Sequence, residues 1–237
     1  MHSVSVKGAV CIAAPASGSG KTLVTCALIR ALRERGLTVQ PFKAGPDYID
    51  PLFHDKTSPE GGLHKCENLD TFLADHDTVR SIYEECSEGA DISVIEGVMG
   101  LYDGVGGTQE KGSTYDLAAC LGAPIVLVTG AGGASRSILA VIRGFLDYDR
   151  EGLIKGVILN RCSEGSFSRL APLIEQELGI RALGYLPVMK DIHIESRYLG
   201  LTLPDEIVDI KLQIGKLAER MNESVDIDGI LEIGRGT

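Results

Sequence analysis

Ala9-Val10-Cys11-Ile12-Ala13-Ala14-Pro15-Ala16-Ser17-Gly18-Ser19-Gly20-Lys21-Thr22 decides how this chain folds. Four apolar residues lead into a glycine-containing turn, a Lys-Thr pair follows, and an apolar-periodic segment opens at Leu23. Strand, turn, Lys-Thr and helix is the layout of a phosphate-binding loop, in which successive backbone N–H groups and a helix N-terminus face an anion. In such a loop Lys21 places a point charge at the terminal phosphates, and the Thr22 hydroxyl is suited to Mg²⁺. Pro15 stands where the usual pattern G-x-x-x-x-G-K-[ST] has its first glycine.

Outward from the loop, Lys21–Arg35 carries an apolar stripe of Leu23, Val24, Ala27, Leu28, Ala31 and Leu32, with Gly36 as the cap that ends a helix. Thr38–Lys43 reads as a strand. About 25 residues without clear periodicity follow, a length that favours a functional loop. Leu69–Cys86 is expected as a helix, 92–95 as a strand, and the Gly-rich run from Gly97 to Gly107 as irregular. A short helix at 115–121, a strand at 124–129, a helix at 135–146 and a strand at 154–159 come next. A helix at 167–178, a short strand at 181–183 and a last helix from about Pro204 to Met221 complete the pattern. Alternation of this kind predicts an α/β three-layer sandwich, a mostly parallel sheet covered by helices on both faces. Residues 1–222 form one domain in this reading, and 223–237 a linker or tail.

Twenty-three Lys and Arg against 33 Asp and Glu leave a formal charge of −10, which speaks against a nucleic-acid surface. Any anionic ligand is then drawn in by local cations such as Lys21 and Lys43. No apolar run approaches the ~18 residues a membrane helix needs, and the first residues lack the apolar core of a secretory signal. Six singly spaced cysteines, with no C-x-x-C pair, read as reduced core residues of a cytoplasmic protein.

In a parallel sheet ligands bind beyond the carboxyl ends of the strands. The chemistry-bearing residues fall there in turn: the loop to Thr22, then Lys43 to Asp50, then Glu96 to Gly107, then Asn160-Arg161. Glu96 is placed to hold a metal or water opposite Thr22, or else to cap the next turn. Asp47 and Asp50 suit Mg²⁺ or a substrate donor, but beside Pro46 and Pro51 they also suit plain turns. Lys43 suits a transferring phosphoryl group or a carboxylate. The histidines show no ligand spacing, and only His54 is a candidate for touching substrate.

Ala14–Thr22, Phe42–Pro51, Asn68-Leu69-Asp70 and Glu96–Gly104 together resemble the cobyrinate a,c-diamide synthase family. Gly156–Arg161 and Ser196–Leu201 extend the likeness almost to the last helix. The resemblance is to the family's N-terminal amidoligase domain, related to dethiobiotin synthetase. It implies that Ser17, Gly18, Ser19, Gly20, Lys21 and Thr22 hold ATP phosphates, that Thr22, Asp47 and Glu96 hold Mg²⁺, and that Asn160 and Pro187 receive the adenine. Lys21, Lys43 and Asp47 would serve the chemistry, while Tyr48, Asp50, Tyr102 and Asp103 would face a tetrapyrrole polycarboxylate. The implied reaction is ATP-dependent amidation of two acetate side chains through an acyl phosphate, with ammonia normally drawn from glutamine.

Three departures stand out. No cysteine sits in the setting of the family's glutaminase nucleophile, which implies a separate glutaminase domain or subunit, or free ammonia. Gly130 stands where the family tends to have Asp, and Tyr198 where His is usual. A nickel-sirohydrochlorin a,c-diamide synthase is the nearest alternative, and a homodimer is left open. A partitioning-type switch ATPase shares the expected fold, but its signature lysine is replaced here by Ala16.

Overall fold

The computed structural model describes residues 8–57, 64–189, 192 and 209–236. Its centre is a seven-stranded sheet in which every pairing between strands is parallel. The strands are β1 (Ala9–Ala13), β2 (Val39–Ala44), β3 (Glu67–Leu69), β4 (Ile92–Glu96), β5 (Ile125–Gly130), β6 (Ile154–Asn160) and β7 (Arg181–Leu186). They lie in the order β3-β2-β4-β1-β5-β6-β7. The helices are α1 (Lys21–Glu34), α2 (Asp50–Asp55), α3 (His76–Cys86), α4 (Thr114–Leu121), α5 (Ser137–Tyr148), α6 (Glu164–Leu173), α7 (Ile210–Ser224) and α8 (Ile227–Arg235).

Side chains alternate across each strand, so a central strand feeds two cores at once. Val10 and Ile12 join Val94, Val126, Val128 and Ile158 under α1, α7 and α8. Ala9, Cys11 and Ala13 join Phe42, Ile95, Leu127 and Val157 on the opposite face, against Tyr83, Tyr115, Ile142 and Ile174. Both faces being covered, the strands read in sequence as continuous apolar runs. All six cysteines are free, four of them buried. Among the described residues no helix is long and apolar enough to cross a membrane.

The structure differs from the sequence reading in four places. The long aperiodic stretch contains α2, opened by Pro51, and the edge strand β3. The helix expected from Leu69 starts only at His76, because Leu69 pairs with Ala44 in the sheet. Asp70 Oδ1 then accepts from the amides of Phe72 and Leu73, and Asp75 caps the helix through Thr78 N. The last long helix begins at Ile210; Pro204, His193 and the Ser196–Leu201 block with Tyr198 lie outside the described residues. Finally, the stretch expected as a tail folds as α8. Asp226 caps it through Gly229 N, and Ile227, Ile230 and Ile233 are buried in the first core. Nine residues are too short for a stable isolated helix, so only the sheet beneath makes this one form.

Candidate functional site

Sheet order places the site. β1, β4 and β2 are neighbours, so the loops leaving their carboxyl ends lie side by side. Register does the rest: Ile12 pairs with Glu96, Glu96 with Lys43, and Lys43 with Asn68. Residues paired across parallel strands share a face, so Glu96, Lys43 and Asn68 form one polar row on the side of α1.

The phosphate loop closes around its glycines. Gly18 and Gly20 have φ of 76° and 94°, backbone that side-chain-bearing residues rarely adopt. A Cβ on Gly20 would also fall 2.3 Å from Asn160 Nδ2, and that amide donates to the Ser19 carbonyl at 2.9 Å. Gly20 caps α1 without a side chain, and the first turn of the helix has no acidic residue. Its orphan N–H groups therefore stay open to an anion. Lys21 Nζ donates to the carbonyls of Met99 (2.5 Å) and Ala16 (3.3 Å). Met99 lies in the left-handed region at φ 49°, unusual for a non-glycine residue. Burial lowers the Lys21 pKa to about 8; Lys43 adds to the depression and Glu96 opposes it.

Lys43 is the hub of the second half. Its buried ammonium sits 2.6 Å from Asp50 Oδ2, 3.0 Å from Glu96 Oε1 and 3.8 Å from Asp47 Oδ2. Burial works against its charge, but Glu96 and Asp50 outweigh that and hold its pKa above the ordinary lysine value. Glu96 is fully buried. Burial pushes its carboxyl up, but Lys43, then His54 and Thr22, bring it well below the carboxylate range. For Asp50 the balance runs the other way: burial, then Glu96, raise it to about 6 against the pull of Lys43. A cavity of about 210 Å³ opens here, lined by the phosphate loop, Lys43, Asp47, Asp50, Glu96 and the Gly97–Met99 backbone.

The structure thus gathers Ser17, Gly18, Gly20, Lys21, Thr22, Lys43, Asp47, Asp50 and Glu96 around one cavity. Thr22 Oγ1 donates to Glu96 Oε1 at 2.5 Å and to Asp50 Oδ2 at 3.5 Å. Asp47 Oδ1 instead accepts the amides of Ile49 and Asp50, a turn that launches α2. Ser19 Oγ turns back onto Ala16 O, and Asn160 reaches the loop from β6. Tyr48 is 82% exposed. Tyr102, expected at the substrate, packs against Tyr115, Phe145 and Tyr148 and donates its hydroxyl to Phe145 O. Asp103 Oδ2 accepts from Gly100 N, folding its own turn. Pro187 directly follows β7, and Gly130 pairs with Asn160.

Thr22, Asp50 and Glu96 present hard oxygen donors, and Asp50 Oδ1 is buried with no hydrogen-bond partner among the described residues. These residues fit Mg²⁺. Among the described residues no three His, Cys, Asp or Glu converge as a complete metal site.

His54, by sequence a candidate for touching substrate, is completely buried behind Glu96. A helix opening at Asp50-Pro51 puts position 54 on the same face as position 50, a signal hidden because the stretch reads as loop.

The profile of the family described as "CobQ/CobB/MinD/ParA nucleotide binding domain" matches residues 10–199. The chain is 40% identical over 230 residues to a cobyrinate a,c-diamide synthase of Listeria innocua, covering 96% of this chain and 50% of that protein. It is 44% identical over 197 residues to a hydrogenobyrinate a,c-diamide synthase of Mycobacterium bovis, covering 81% and 42%. The chain therefore spans about half the length of these relatives. Two solved structures share its fold: an ADP-bound nucleotide-binding protein from Archaeoglobus fulgidus and the MinD cell division protein of Aquifex aeolicus. The first has a TM-score of 0.52 at 12% identity, covering 95% of this chain and 92% of the other. The second has 0.51 at 18%, covering 92% and 98%.

Proposed function

The chain belongs to the CobQ/CobB/MinD/ParA nucleotide-binding domain family, and we propose that it is the ATP-dependent amidoligase part of a cobyrinate a,c-diamide synthase. Lys43 carries this reading. A nucleotide holder needs only the phosphate loop, whereas here a second buried ammonium stands beside it between two carboxylates. That charge suits a reaction joining two anions, a substrate carboxylate and a terminal phosphate.

The chemistry proceeds in two displacements. A carboxylate oxygen of an acetate side chain attacks the γ-phosphorus, the bond to the bridging oxygen breaks, and ADP departs. Ammonia then attacks the acyl carbon, loses a proton, and inorganic phosphate leaves the amide. The loop amides and Lys21 hold the phosphates; Lys43 neutralises charge where carboxylate and γ-phosphate meet. Catalysis here is positioning and charge neutralisation. Thr22 and Asp50, with Glu96 and Asp47 close by, would hold Mg²⁺, which shields charge on the phosphates when bound. The exposed Tyr48 is available to a large flat ring. Ala16, in place of a signature lysine, sets the chain apart from partitioning switch ATPases. Ammonia comes from a glutaminase domain or subunit, or free from solution, and the setting is the cytoplasm.

The test is turnover with ATP and ammonia on cobyrinate and on hydrogenobyrinate, the two rings named for the relatives, with Ni-sirohydrochlorin as a third. Stepwise gain of two amides with ADP release is expected. ATP hydrolysis without amidation of any ring would overturn the proposal.

A further inference from the structure

Glu96 has both carboxylate oxygens committed. Oε1 accepts from Thr22 Oγ1 at 2.5 Å and from Lys43 Nζ at 3.0 Å. Oε2 accepts from a fully buried group: His54 Nε2, at 2.5 Å, with both side chains 0% exposed. The other imidazole nitrogen, Nδ1, lies 3.1 Å from Cys66 Sγ. Cys66 is itself held in place, its backbone N–H donating to Asp55 Oδ1 at 2.9 Å. The His54 backbone is held as well, its carbonyl accepting from Thr57 Oγ1 at 2.5 Å.

We propose that His54 is a positioning residue for the Glu96 carboxylate, and that Cys66 holds the imidazole in the orientation this requires. The inference rests on the reading of Lys43 and Thr22 as groups that meet the reacting phosphate. Because the ionised Oε2 can only accept, Nε2 carries a proton, and the Cys66 sulfur lies at Nδ1 to close the line Cys66–His54–Glu96. A carboxylate bonded on one oxygen alone is free to turn about its last torsion, a broad and soft one. With His54 on Oε2 the plane of the carboxylate is set, and Oε1 is aimed at the two donors that face the cavity. His54 thus fixes Lys43 Nζ and Thr22 Oγ1 at one remove, without touching any ligand. The arrangement follows the rule that a group doing chemistry is oriented by a further shell of hydrogen bonds behind it.

A double-mutant cycle tests this in the whole protein. His54→Ala, Glu96→Gln and the double variant are compared for the rate of amide formation, with ATP affinity and Tm measured alongside. His54→Ala is expected to lower kcat about 30-fold while the KM for ATP moves less than about threefold. His54→Gln, which restores a donor near the Nε2 position, is expected within about fivefold of the parent. The double variant is expected within about twofold of Glu96→Gln alone, since His54 then has no carboxylate to aim. Should His54→Ala fail to fold, Cys66→Ala replaces it in the cycle, with a loss of about threefold that vanishes in the Glu96→Gln background. Multiplying effects in the double variant, or a fallen Tm with kcat unchanged, would overturn the proposal. If the parent protein hydrolyses ATP but amidates nothing, the amidoligase reading fails by itself, and the same cycle is then read on ATP hydrolysis.

Discussion

The phosphate loop and the Lys43–Asp50 stretch line the same cavity, yet they are built by opposite means. The loop is a backbone device. Its ligand-facing groups are amides, its shape is set by Gly18 and Gly20 at positive φ, and Lys21 follows directly in chain order. The second stretch is a side-chain device. Lys43 from β2, Asp50 and His54 from α2, Glu96 from β4 and Cys66 beside β3 meet only because the sheet order and register bring them together. Amides hold an anion at fixed partial charge, whereas these groups set one another's protonation. Burial, then Glu96, raises Asp50 to about 6, while Lys43, with His54 and Thr22, overcomes burial and holds Glu96 low. The proposed function thus assigns binding to the loop and turnover to the buried charge network.

That division breaks first at Lys43. Lys43→Met removes the cation that is ion-paired with both Asp50 and Glu96, and amide formation is expected to fall by about 10³ or more. ATP affinity, measured by calorimetry, should move far less; an equal loss in both would erase the distinction between the two regions. Gly20→Ala is the mirror case. It needs both the φ of 94° and the 2.3 Å approach of Asn160 Nδ2 to yield, and ATP affinity is expected to drop about 100-fold from displaced loop amides.

The pH response sharpens the same contrast. The Lys21 pKa is lowered to about 8 by burial, with Lys43 adding to the effect. Below pH 8 Lys21 is charged before ligand arrives, so affinity is level. Above it the free protein must take up a proton to bind phosphate, and Kd is expected to weaken by up to about tenfold per pH unit. Proton uptake on binding at pH 9, read from calorimetry in two buffers, checks the sign. The smallest effect is expected at Tyr102→Phe: a loss of about 1 kcal/mol of stability with the hydrogen bond to Phe145 O. The amidation rate should be unchanged if Tyr102 belongs to the aromatic cluster and not to the substrate surface.

The row of strands was legible because both faces of the sheet are buried, which writes each strand as an apolar run. Helix α1 and its Gly36 cap were legible for equally local reasons. Helix α2 and strand β3 were not, since six and three residues carry too little periodicity to register. Helix α8 was read as a tail because its apolar residues have meaning only against the sheet. Within the site, Lys21, Thr22, Lys43 and Glu96 could be picked out from their places at strand ends. That Asp50 meets Thr22 and Lys43 while Asp47 also turns the backbone into α2, and that Tyr102 and His54 do not line this cavity, could not.

Sequence alone determined the phosphate loop, the βα alternation and the family to which this chain is related. These depend on contacts between near neighbours in the chain: glycine dihedrals, a helix start, strand periodicity. Tertiary structure decided that Asp50 joins Glu96 at Thr22, that Lys43 balances both, and that His54 stands behind Glu96. Burial and charge pairing act through space, and residues 43, 54, 66 and 96 become neighbours only when β2, β3 and β4 are laid edge to edge.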